Sequence, residues 1–210
     1  MNWKIVQEIG SGEGQPLARI CLVSDTHVPD RLDELHPHLI PYLRERQVER
    51  IFHLGDVSGQ AVLDQLGAVA PVCACMGNRD AGIRPLLPMV RYEEVGGVRF
   101  ALMHGHFGLL NYWLDKFRYV LNGYDSRRYI PKALALAKGA RVAAFGHSHQ
   151  VECLEVDGVY VVNPGAAGLG LRREIHPTAG CVFVYPDGAV RIEIVEFIAA
   201  RLDGRRWREG

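Results

Sequence analysis

The chain has 210 residues, 48% of them hydrophobic and 23% charged, and its 24 basic residues balance 24 acidic ones. That size and composition suit one globular domain with a core of its own and exclude a disordered chain. Zero net charge excludes a strongly basic overall field, the usual footprint of nonspecific nucleic-acid binding, while leaving a local patch open. No apolar run approaches the roughly 20 residues of a membrane span, so no membrane partner is expected. The five cysteines are odd in number and lie inside apolar runs, and no secretory leader is evident. These features predict reduced, buried thiols and a cytoplasmic protein. The anomaly is nine histidines, most of them in tight clusters.

In chain order, residues 1–16 read as an N-terminal extension ending in a flexible joint, Gly10 to Pro16. Residues 17–200 read as the domain proper. Ala18 to Ser24 is a nearly continuous apolar run, as expected of a strand buried on both faces. Leu32, Leu35, Leu39, Tyr42 and Leu43 recur at helical spacing, and Arg50 to Leu54 forms a second apolar run. A short helix around Ala61 to Leu66 then leads to a third strand, Val72 to Met76. Strand, helix, strand, helix, strand implies right-handed βαβ units and a parallel sheet. The second half is richer in hairpins. Val90 to Val95 and Val98 to Met103 flank Gly96-Gly97, Val151 to Val156 and Val159 to Val162 flank Asp157-Gly158, and Gly180 to Tyr185 and Ala189 to Ile194 flank Asp187-Gly188. Val142 to Phe145 is a further short buried strand. The sum is an α/β architecture of two sheets packed face to face with helices outside. Residues 201–210, with four arginines against two acids, read as a solvated or loosely docked tail.

The chemistry lies at the strand ends. The first three strands run into Ser24-Asp25-Thr26-His27, Gly55-Asp56 and Gly77-Asn78-Arg79-Asp80. The second hairpin strand runs into His104-Gly105-His106, and the late strand into Gly146-His147-Ser148-His149. Ligand sites of open α/β sheets lie off the carboxyl ends of their strands, so these side chains are expected side by side. Any one of them has an ordinary explanation, Asp25 and Asn78 as turn or cap residues, His53 as a core histidine, Ser148 as a spacer. Five strand ends at once do not. Seven ligands exceed what one four-coordinate ion uses, and two divalent ions sharing a carboxylate fit the count. Carboxylate, imidazole and amide donors without thiolate suit manganese, iron or zinc. Two such ions outweigh two aspartates and a hydroxide in charge, which attracts a phosphate anion.

The pattern D-x-H, GD, GN-x-D, H-G-H, GH-x-H resembles the calcineurin-like metallophosphoesterase superfamily, in particular its single-domain YfcE-type phosphodiesterase branch. The resemblance implies a four-layer α/β/β/α sandwich with two mixed sheets. It implies that Asp25, His27, Asp56 and His149 hold one metal and that Asp56, Asn78, His104 and His147 hold the other, with Asp56 bridging. Two divalent transition-metal ions are the implied cofactors, manganese favoured, with iron, zinc or nickel as alternatives. It further implies a dinuclear-metal-dependent phosphoesterase that cleaves phosphodiesters by in-line attack of a metal-bridging hydroxide. Each ligating histidine should have its second ring nitrogen fixed by a carbonyl or carboxylate, a role for which Asp80 is a candidate. The alternatives are a phosphomonoesterase or nucleotidase, a protein phosphatase, a dinucleoside-polyphosphate hydrolase, or a non-catalytic scaffold of the same fold. The substrate is expected to be a small-molecule or nucleotide phosphoester, with nucleic acid as a partner in the role of substrate alone.

Two departures from the family pattern bear on substrate. Where the commonest form carries a histidine thought to protonate the leaving group, this chain has Arg79, which stays charged and cannot serve as a general acid. Arg79 can instead bind a phosphate oxygen, and His106 is a nearby imidazole that could donate a proton or else take a structural or substrate-contacting role. Second, the interval between His104 and His147 is long. Its segment 107–130 interleaves aromatic residues, Trp113 among them, with basic ones such as Arg118, and is expected to form an amphipathic helix. Such a helix could serve as a lid over a nucleobase and its phosphates, with Trp113 and Arg118 as contacts, or could pack on the domain itself or at a homo-oligomer contact. Asn163-Pro164-Gly165 and Arg172 follow the late hairpin, Arg172 as a further candidate for substrate phosphate.

Overall fold

A computed structural model describes residues 2–80, 82–83, 87–106, 126–170 and 176–209. Its strands form two large sheets. The first contains β1 (Trp3–Gly10), β2 (Ala18–Val23), β3 (Arg50–His53), β4 (Val72–Ala74), β10 (Thr178–Val184) and β11 (Val190–Phe197), in the spatial order β1-β11-β10-β2-β3-β4. The second contains β5 (Val90–Val95), β6 (Val98–Met103), β7 (Val142–Ala144), β8 (Val151–Val156) and β9 (Val159–Pro164), in the order β5-β6-β7-β9-β8. Each sheet has a parallel trio, β2-β3-β4 in one and β6-β7-β9 in the other, extended by antiparallel strands.

Period-two alternation divides every central strand between two environments. Ile20 and Leu22 of β2, Phe52 of β3, Phe100 and Leu102 of β6 and Val162 of β9 share one buried cluster, the layer between the sheets. Phe52 and Phe100 meet edge to face across it, with ring centroids 5.3 Å apart. The alternate residues Cys21, Val23 and Ile51 pack under α1 (Leu39–Glu45) and α2 (Gln60–Gly67) through Leu39, Tyr42, Leu43, Val62 and Leu66. On the other flank Ala101, Met103, Ala143 and Val161 pack under α3 (Ile130–Ala137) through Ala133 and Ala137. The layers are therefore helix, sheet, sheet, helix. All five cysteines are free and buried. Among the described residues, no helix is long and apolar enough to cross a membrane.

Several local expectations are corrected. The helical spacing from Leu32 yields a helix only from Leu39, because Pro37 disfavours helical backbone at His36, and Leu32 and Leu35 are buried in irregular chain instead. The expected N-terminal extension contains β1, an edge strand paired antiparallel with β11. A register shift between Ile5 and Gln7 breaks its alternation, which removes the period-two signal from the sequence. The tail, expected to be solvated or loosely docked, is docked and forms a hairpin of β12 (Ala200–Asp203) and β13 (Arg206–Glu209). It docks on the loop after β2. Arg205 donates to Asp33 Oδ1 at 2.9 Å and to the Pro29 carbonyl, and Arg206 donates to Asp33 Oδ2 at 3.2 Å. Trp207 packs edge-on against His36 at 4.6 Å. Of the expected insertion 107–130, residues 107–125, with Trp113 and Arg118, lie outside the described residues, as does Arg172. Ser126–Tyr129 is a 3-10 turn leading into α3.

Candidate functional site

Parallel strands side by side expose their carboxyl ends at one edge, and here two parallel trios from facing sheets share that edge. The loop after β2 carries Asp25 and His27, the loop after β3 carries Asp56, and the loop after β4 carries Asn78, Arg79 and Asp80. The second sheet delivers His104 and His106 after β6, and His147 and His149 after β7. The backbone bends sharply there. Asp25, His27, Asp56, His147 and His149 all have positive φ, between 52° and 70°. Such conformations cost free energy for residues with a Cβ, and their concentration at one edge marks a site held by its surroundings. Gly55, at φ 91°, shows the crowding, since a Cβ there would stand 2.8 Å from both the Gly77 nitrogen and the His104 ring.

Asp25 and Asp56 form the centre. Asp25 Oδ2 accepts from Ser24 Oγ at 2.5 Å and from the His147 backbone N–H at 3.0 Å. Its other oxygen, Oδ1, is buried and accepts no hydrogen bond among the described residues, yet three imidazole nitrogens surround it. His149 Nε2 is 3.2 Å away, His27 Nε2 3.7 Å and His104 Nε2 3.9 Å. Asp56 turns one oxygen to each side, with Oδ2 3.7 Å from His27 Nε2 and Oδ1 3.4 Å from His104 Nε2. His104 Nε2 also lies 3.2 Å from Asn78 Oδ1 and 3.3 Å from His147 Nδ1. His27 and His149 point their Nε2 atoms at each other at 3.3 Å.

The donor atoms of Asp25, His27 and His149 all lie within 4.8 Å of one another, and so do those of Asp25, Asp56 and His104. These groups fit divalent ions. A buried carboxylate oxygen with no hydrogen bond, ringed by imidazole nitrogens, is a poor hydrogen-bond network and a good ligand set. The ring tautomers agree. His104 Nδ1 and His149 Nδ1 each lie 2.7 Å from a backbone carbonyl, of Leu54 and Leu169, so each donates there, which leaves Nε2 as the nitrogen that would face an ion once it is deprotonated.

The protonation pattern points the same way. Burial opposes charge on Asp25, but His149, His104 and His27 outweigh it and hold its carboxyl well below the usual range. Burial also opposes charge on Asp56, and His104 overcomes it, drawing the carboxyl down to about 2. His104 is raised to about 9 and His149 is raised as well, because Asp56 and Asp25 outweigh the burial of the one and Asp25 that of the other. Burial leaves His27 lowered to about 4 and His147 to about 3. Two ionised carboxylates thus demand positive charge, and protons on imidazoles meet that demand where divalent ions would.

Asp80 sits differently from expectation. It fixes no ring nitrogen; its two oxygens accept from the backbone N–H groups of Asp56 at 3.0 Å, Gly77 at 2.7 Å and Ser58 at 2.8 Å. It braces the second and third loops against each other. The Arg79 backbone N–H donates to Asp56 Oδ1 at 2.8 Å, while its guanidinium donates to Asp30 Oδ2 at 3.1 Å. His106 is buried beside the cluster, with ring centroids 5.4 Å from His104 and 6.3 Å from His147. His53, lowered to about 3 by burial, contacts Thr26 Oγ1 at 3.1 Å and so backs the first loop as a neutral ring. Asn163 donates to the Gly146 carbonyl at 3.0 Å and to Ser148 Oγ at 2.7 Å, which fixes the loop bearing His147 and His149. Sequence reasoning missed Asp30 and the carbonyls of Leu54 and Leu169. Asp30 reads as a turn residue after proline, and a carbonyl carries no residue identity at all.

A family model for the calcineurin-like phosphoesterase superfamily domain matches residues 19–184. A probable metallophosphoesterase of Methanothermobacter thermautotrophicus is 32% identical over 147 residues, covering 70% of this chain and 76% of that protein. Zinc-complexed Vps29 of Entamoeba histolytica has a TM-score of 0.63 at 21% identity, over 85% of this chain and 99% of its own. An archaeal phosphodiesterase has a TM-score of 0.56 at 24% identity, over 84% of this chain and 99% of its own. At those identities the two solved structures speak for the fold alone. Family match and site geometry coincide on the same loops, and the chain belongs to the calcineurin-like phosphoesterase superfamily.

Proposed function

We propose that the protein is a dinuclear metal-dependent phosphodiesterase. The observation that carries this reading is Asp56, whose two oxygens face different imidazoles, Oδ2 towards His27 and Oδ1 towards His104, as a carboxylate shared by two ions would. Asp25, His27 and His149 would hold one ion and Asn78, His104 and His147 the other, with Asp56 between them. When bound, two such ions supply Lewis acidity, a water acidified towards neutral pH and charge to offset the phosphate oxygens. The chain's own residues do the rest. Leu54 and Leu169 carbonyls fix the faces of His104 and His149, Asp80 holds the Asp56 loop in register with Asn78, and Ser24 orients Asp25.

The preference for diesters rests on Arg79. An arginine can bind a phosphate oxygen but cannot protonate a leaving group, so the leaving group must depart on its own acidity. His106, buried beside His104, would serve as a substrate contact at the same edge. The test loads the purified chain with manganese, measures metal per chain, and compares hydrolysis of a nitrophenyl diester with that of the matching monoester, using Asp56→Asn as the blank. Diester turnover that the blank lacks supports the reading. Less than one ion per chain with no turnover would replace it with a scaffold role.

A further inference from the structure

We infer that Asp30 is a specificity-determining residue: paired with Arg79 at the rim of the metal-ligand cluster, it suits the site to singly charged phosphodiesters over doubly charged phosphomonoesters. The inference rests on the phosphodiesterase reading and gives it a charge basis. The Arg79 N–H bonds Asp56 at 2.8 Å, so its guanidinium is tethered within one side-chain length of the central carboxylate. That guanidinium turns to Asp30 Oδ2 at 3.1 Å, and the same oxygen lies 3.7 Å from His27 Nδ1, a buried nitrogen with no hydrogen-bond partner among the described residues. The two side chains are 41% and 33% exposed, so an incoming phosphate can reach the pair. Asp30 is held from both sides. Arg205 of the C-terminal hairpin binds the Pro29 carbonyl before it and Asp33 after it, and this hairpin lies outside the family match at residues 19–184.

The chemistry follows from charge. A phosphodiester carries one negative charge, whereas a monoester, with a second pKa of about 6, carries nearly two above neutrality. A free guanidinium at the rim would favour the dianion through charge-assisted bonds. Asp30 already occupies one of those donors and sets a negative charge beside the incoming group. Arg31, which opposes charging of His27 and His149, supplies positive field from the adjacent position, so anion attraction persists without favouring the second charge.

The experiment uses the full chain with saturating manganese at about pH 8, where the monoester is a dianion. Values of kcat/KM are measured for the matched diester and monoester in wild type, Asp30→Asn, Asp30→Ser, Arg79→Ala and the Asp30→Asn/Arg79→Ala double variant. Inorganic phosphate binding is titrated calorimetrically in each. Releasing Arg79 should raise the monoester-to-diester ratio roughly five- to tenfold and tighten phosphate binding by a similar factor, the scale of one unit charge at a partly exposed site. In the Arg79→Ala background the same change should fall below about twofold. An unchanged ratio and phosphate affinity in both Asp30 variants would overturn the inference, as would an equal rise without Arg79. If wild type cleaves no diester, the phosphodiesterase reading fails by itself, and the phosphate titration still decides the role of Asp30.

Discussion

Asp80 offers the sharpest test of how the site is held. Its carboxylate is fully buried and accepts three backbone N–H bonds, from Asp56 and Gly77 on one oxygen and from Ser58 on the other. Hydrogen bonds to a charged acceptor contribute about 1.5–3 kcal/mol each, so three amount to roughly 5–9 kcal/mol before the burial of the charge is counted. That burial is unfavourable and raises the Asp80 pKa, the backbone bonds notwithstanding. Removing the side chain relieves the burial but leaves buried donors without an acceptor, and the net expectation for Asp80→Ala is a loss of about 3–4 kcal/mol. Asp80→Asn keeps an acceptor for one or two of the donors and turns its own N–H towards the remainder, so about 2 kcal/mol is expected. Urea unfolding of chelator-treated protein followed by far-UV circular dichroism gives both numbers without a contribution from metal binding. Manganese titration should weaken in parallel, because Asp56 and Asn78 lose their common brace. Both variants within about 1 kcal/mol of wild type, with unaltered manganese affinity, would refute the reasoning.

Two further outcomes follow from close approach and from buried charge. A Cβ on Gly146 would collide with Ser24 Oγ and stand 2.9 Å from Asp25 Oδ2, so Gly146→Ala should lower manganese affinity at least about tenfold. Gly67→Ala, where a Cβ meets nothing within 4 Å, should leave that affinity alone, and equal behaviour of the two would contradict the packing argument. His36, buried against Phe197 and Trp207, is lowered to about 3 by burial and then by His38 and His176. The unfolded chain binds that proton near the ordinary histidine value and the folded chain does not. Stability should therefore be full above that value and fall by up to a few kcal/mol as the pH drops towards about 3. His36→Phe should shrink the difference in urea midpoint between about pH 7 and about pH 4.5, and an undiminished difference would exclude His36 as its source.

Much of the site was legible because its chemistry is written in residue types that rarely cluster. Asp25, His27, Asp56, Asn78, His104, His147 and His149 each follow an apolar run, and β-strand ends bring such loops together whatever the strand order. Their supports were less legible. Asp80 was recognisable as part of the cluster, but its bonds run to backbone N–H groups, which look alike in every residue. Asp30 became visible only when the chain turned it towards Arg79 across 49 positions. The N-terminal strand escaped notice because a bulge erased its alternation, and the C-terminal hairpin because four-residue strands carry too short a pattern.

Composition and local pattern by themselves determined the secondary-structure order of the central strands, the three glycine-turn hairpins and the identities of the ligand-type residues. These depend on side-chain period and turn chemistry, which act over a few neighbours. The tertiary structure alone decided that β10 and β11 return to lie between β2 and β1, that Asp56 turns one oxygen towards His27 and the other towards His104, and that the last hairpin fastens the loop behind His27. Such contacts join residues far apart in the chain. Their free energy depends on distance and burial, and neither quantity exists until the two sheets have closed on each other.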